Sequence, residues 1–221
     1  MTAIRDRFLL GRSRDAGLSL VEVIVAIAIV SVVALASAAL TGNGLATAAA
    51  QSRQQIAVTI ASGQMETVSG WNVAQSALTG VSGLYTGRPI AKVTAAFGTY
   101  NAMPGVSDTA AKGDPTATSC PTAPAPCGAI PISQTVTEGG TSYTIATLIG
   151  QCYQSTVVST THPPAPDQCT NPAMPPANAT PLIRAIVIVT WTAGSRCVAS
   201  GCSYQASTLI DPHTDLLWVT H

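Results

Sequence analysis

From position 18 to position 40 the chain reads LSLVEVIVAIAIVSVVALASAAL, an apolar run whose one charge is Glu22. No other charged residue appears until Arg53. At about 1.5 Å rise per residue such a run makes a helix of roughly 35 Å, enough to cross a ~30 Å hydrocarbon core with some tilt. Val and Ile are mediocre helix formers in water. In lipid an unpaired amide is so costly that the helix wins. A cleaved secretory signal has a shorter apolar region followed by small residues, whereas here the small pair Ala16-Gly17 precedes the run. The pattern predicts a membrane-spanning helix over 18–40.

Beyond residue 40 the pattern becomes amphipathic. In residues 45–69, Leu45, Ala49, Ile56, Ile60 and Gly63 form a stripe opposite Arg53, Gln54 and Glu66. That spacing predicts a half-buried continuation of the helix over 41–70. Gly42 and Gly44 each cost about 1 kcal/mol relative to Ala in a helix interior, which predicts a local bend or unwinding there. Gly70-Trp71 marks the exit into a globular part, residues 71–221. Period-2 alternation around Glu138-Gly139-Gly140 predicts a hairpin over Ser133–Gly150. Leu182–Trp191 and Ser203–Ile210 form a second strand pair, and Pro89–Phe97 reads as a weaker strand. The fold class is α+β: a long N-terminal helix packed on a small antiparallel sheet of four to five strands.

Proline and cysteine complete the outline. Thirteen of the 15 prolines lie within Pro104–Pro131 and Pro163–Pro181, and a residue without an amide donor is excluded from central strands and helix interiors. Long surface loops are predicted there. The six cysteines admit fifteen pairings. Cys120–Cys127, Cys152–Cys169 and Cys197–Cys202 are favoured, because each closes a local loop and adds about 2–4 kcal/mol. Such bonds belong to an oxidising compartment. Zinc is the rival reading, but the C-x6-C and C-x4-C spacings lack the C-x2-C knuckle, and His162 stands alone between Cys152 and Cys169. Neither metal nor cofactor is expected.

Charge removes further classes. Charged residues are 9% of the chain, with ten Lys+Arg balancing ten Asp+Glu, so no basic field exists to hold nucleic acid. Arg5, Arg7, Arg12 and Arg14 outweigh Asp6 and Asp15 ahead of the apolar run, which orients the N-terminus to the cytoplasm and the C-terminal part outside it. No nucleophile elbow, zinc-protease helix or phosphate-binding loop is present. Asp211 and Asp215 near His213 read as a turn at Asp211-Pro212 rather than acid–base chemistry, and His221 is terminal. Asn178-Ala179-Thr180 matches a glycosylation acceptor, a pattern short enough to arise by chance. An enzyme is not expected.

Ala16-Gly17-Leu18-Ser19-Leu20-Val21-Glu22-Val23-Ile24-Val25-Ala26 resembles the processing motif of type IV prepilins and type II secretion pseudopilins. The resemblance covers about residues 12–40. It implies that a prepilin peptidase cuts between Gly17 and Leu18, removes the basic leader 1–17 and N-methylates Leu18. It also implies that Glu22 becomes the fifth mature residue, where the family keeps a glutamate. Leu18 departs from the commoner Phe or Met, and the Pro often found near the middle of the family's helix is absent. A carboxylate at mid-membrane depth costs about 2.5–3.5 kcal/mol. The α-amino group created at Leu18 of a neighbouring subunit would be its partner, and breaking such a buried pair costs on the order of 3–5 kcal/mol.

The function implied is a structural subunit: a prepilin held in membrane lipid, trimmed, then joined to other pilin subunits by the assembly machinery into a cell-surface filament. Gly63–Val68 (GQMETV) and the Pro-rich loops are similar to minor pilins of the PilV-like kind. A pseudopilin of a type II-like secretion or DNA-uptake system is the alternative. A single-pass, membrane-anchored binding protein that never polymerises is the reading from another class.

Overall fold

The computed structural model describes residues 19–71, 82–121, 125, 127–155, 169–171, 179–192, 197 and 201–212. Residues up to 49 form one unit and residues 50–221 a second. A single helix, α1 (Leu20–Ser69), supplies most of the first unit and the opening of the second.

Every residue from Ser19 to Ala49 is exposed. Leu20, Ile24, Ile27, Val32 and Leu35 are each more than half exposed. Several hydroxyls in this stretch bond back to their own helix. Ser31 Oγ donates to the Ile27 carbonyl at 2.8 Å and Thr41 Oγ1 to the Ser37 carbonyl at 2.8 Å. Such back-bonding satisfies those hydroxyl hydrogens within the helix. The helix runs through Gly42 and Gly44 as regular α-helix, so the expected unwinding does not occur. Two glycines cost about 2 kcal/mol together, less than breaking a ladder of backbone bonds on both sides of them.

In the second unit, five strands form one antiparallel sheet. These are β1 (Ala110–Ala111), β2 (Ser133–Glu138), β3 (Thr141–Ser155), β4 (Ala179–Trp191) and β5 (Cys202–Ile210). β3 and β4 pair along thirteen positions from Tyr143↔Trp191 to Ser155↔Ala179. β2 and β1 share the outer edge of β3, and β5 lies on the far side of β4. The pairing Glu138↔Thr141 leaves Gly139 and Gly140 as a two-residue turn, at φ +55° and +73°. Positive φ at both central residues is the hairpin turn whose twist suits the strands, and glycine takes it without strain.

Both faces of the sheet are covered. Ala57, Ala61 and Val68 of α1 are fully buried against Tyr143, Ile145, Ile149, Ala185 and Val187. On the opposite face Val93 and Phe97 pack with Ala146, Leu148, Ile186 and Ile188. Residues Leu182–Val189 of β4 are consequently buried without interruption, as a strand sandwiched between two layers requires.

Four details depart from the sequence reading. The buried seam of α1 is Ala57, Ala61, Gln64 and Val68, whereas Leu45, Ala49 and Gly63 are exposed. Alanine, by its small size, lets the helix axis approach the sheet, and pattern reading undervalues it. Pro89–Phe97 is not a strand: Pro89 caps α2 (Ile90–Thr99), which supplies the second layer. Its β-branched residues favour strand locally, but burying Val93 and Phe97 on one helical face decides the outcome. Pro181 lies inside β4, where β5 does not reach because its pairing stops at Ile183↔Ile210, so no ladder amide is needed on that side. The window Pro104–Pro131 is more than surface loop, for it contains β1 and the buried side chains of Val106 and Ile130.

The six cysteines are joined as Cys120–Cys127, Cys152–Cys169 and Cys197–Cys202, with Cα separations of 4.8, 5.3 and 5.0 Å. Cys152 and Cys169 are buried with Leu182, and beside them Tyr153 and Thr170 exchange backbone hydrogen bonds at 2.8 and 3.1 Å. Cys202 pairs with Trp191, so the third bond spans the β4–β5 connection.

Candidate functional site

The first turn of α1 starts at Ser19, whose carbonyl accepts from the amides of Glu22 at 2.9 Å and Val23 at 3.2 Å. Glu22 lies in that turn, exposed, as the one acidic residue there. An anion at a helix N-terminus interacts favourably with the unpaired amides of the first turn. Its place is thus compatible with the helix itself and leaves the carboxylate open to a second chain. Gly17 and Leu18, the expected cleavage and methylation residues, lie outside the described residues. The apolar surface begins at Leu20 and continues past Leu40 to Leu45, which is 69% exposed. In length and composition this helix is sufficient to cross a membrane.

A second group of polar residues lies inside the globular unit. Arg184 stands alone as a cation in β4, buried, on the α2 side of the sheet. Its Nη1 donates to the Gly105 carbonyl at 3.0 Å and to Thr109 Oγ1 at 3.4 Å, and its Nη2 to the Cys169 carbonyl at 3.1 Å. Arg88 is fully buried, with Nη2 donating to the Thr147 carbonyl. Burial pulls its guanidinium down to about 10, partly opposed by Tyr85, whose own burial pushes its phenol up to about 12. Asp114 accepts from the Thr116 hydroxyl and amide and from the Gly87 amide at 2.8 Å. The Thr116 hydroxyl, then the Gly87 amide, hold its carboxyl below 3.8. These are structural contacts that tie loops to the sheet.

Arg184 and Arg88 were not singled out by sequence reasoning. A lone arginine within LIRAIVIVTW was the available signal for the first, and nothing local marks the second. His162, His213, His221, Asp215 and Asn178 lie outside the described residues, whereas Thr180 of the glycosylation pattern is in β4. Asp211 and Pro212 follow β5 without regular structure. Among the described residues no three His, Cys, Asp or Glu side chains group to hold a metal ion.

Residues 12–38 match the family model described as the Prokaryotic N-terminal methylation motif. No curated protein and no solved structure matches the chain. The match brackets Gly17, Leu18 and Glu22 together with the start of the exposed apolar helix. The chain thus carries the N-terminal signature of prepilins and pseudopilins, on an α+β protein whose long helix packs on an antiparallel sheet.

Proposed function

We propose that this chain, a bearer of the prepilin methylation motif, is a minor structural subunit of a type IV pilus-like filament. One observation carries the reading: the motif match at 12–38 coincides with an α-helix exposed along its whole apolar stretch. A helical stretch exposed from Ser19 to Ala49 and free of charge between Glu22 and Arg53 is unstable in water and stable in two settings. One is lipid; the other is a bundle of like helices. A prepilin occupies them in succession.

In the first state the arginines ahead of the helix stay on the cytoplasmic side, and residues 71–221 lie outside the membrane, where disulfides persist. A prepilin peptidase cuts after Gly17 and methylates Leu18. The assembly machinery then moves the helix from lipid into contact with other pilin subunits. Leaving lipid brings no hydrophobic gain, since acyl chains are as apolar as Val and Ile, so close packing and polar pairing must supply the preference. The methylated amine of Leu18 in one subunit against Glu22 of the next is such a pair, and it fixes axial register because only one stagger satisfies both charges.

The test is comparison of wild type and Gly17→Ala in cells that make the peptidase and the assembly proteins. Cleaved wild type in sheared filaments at low copy, with uncleaved Gly17→Ala kept in the membrane, is the expected result. Cleaved protein that never enters sheared material favours a secretion or DNA-uptake pseudopilin. Cleavage of Gly17→Ala at Leu18 removes the processing claim.

A further inference from the structure

We draw no further inference here: the strongest candidate, the cleft beside β5 lined by Asp108, Thr170, Arg184, Gln205 and Leu209, carries nothing, because Arg184 and the Gln205 amide nitrogen donate to carbonyls of this same chain and nothing in the structure shows what covers it.

Discussion

The Arg184 guanidinium reaches the carbonyl of Cys169 at 3.1 Å, and through its other terminal nitrogen the carbonyl of Gly105 at 3.0 Å. One side chain on β4 thereby fastens two segments from distant parts of the sequence. One belongs to the loop closed by Cys152–Cys169 and the other leads into β1. Replacement by leucine leaves both carbonyls unpaired in a buried place. Arg184→Leu should lower the unfolding free energy by about 2–4 kcal/mol in urea titration, with all three disulfides intact. Arg184→Lys should recover little of it, because one ammonium does not reproduce two forks of donors.

Two neighbouring positions of α1 should respond with opposite sign. Ala61 is fully buried among Ala57, Tyr143 and Ile145, so Ala61→Leu overpacks the helix–sheet contact and should cost about 1–3 kcal/mol. A Cβ at Gly63 would meet nothing within 4 Å. Gly63→Ala should therefore stabilise by about 0.5–1 kcal/mol. Thermal unfolding of both variants in one micelle condition checks the pair, and equal effects would displace the seam assigned to α1.

Asp114 makes stability fall in acid. Its carboxyl is held below 3.8, first by the Thr116 hydroxyl and then by the Gly87 amide. A depressed acid contributes fully above its unfolded pKa and loses that contribution as pH drops through the folded one. Asp114→Ala should cost about 1–2 kcal/mol at pH 7 and flatten the decline of stability below about pH 4. Urea midpoints at several pH values measure it. A decline as steep as wild type would mean that other carboxyls carry it.

The long apolar helix and the two hairpins were legible because each rests on local periodicity: an apolar run for α1, alternation about Gly139-Gly140 for β2–β3, and the apolar run of β4 with its return in β5. α2 was not legible. Ile90, Val93 and Thr94 favour strand in isolation, and the decision for helix lies in the distant β3–β4 surface that Val93 and Phe97 cover. The small-residue seam of α1 was hidden for a similar reason, since alanine becomes informative only when the partner surface is known. Pro181 in β4 follows from where β5 stops, a tertiary fact. Of the proposed assembly and processing residues, Glu22 alone is among the described ones, in the first turn of α1.

Glu22→Ala separates insertion from assembly. Removing a charge makes insertion easier, by up to about 2.5–3.5 kcal/mol at mid-membrane depth, so the variant should fractionate with membranes as wild type does. Its incorporation into sheared filaments should fall sharply, since the amine of a neighbour loses its partner at a cost on the order of 3–5 kcal/mol. Normal incorporation would show that register is set elsewhere.

Intact mass and N-terminal sequence of the purified protein, made together with a prepilin peptidase, test the central claim most directly. The account predicts a chain beginning at N-methylated Leu18, lacking residues 1–17, and lighter by six hydrogens for three disulfides. A chain that keeps residues 1–17, or that begins after the apolar run as a secretory signal would leave it, would contradict it.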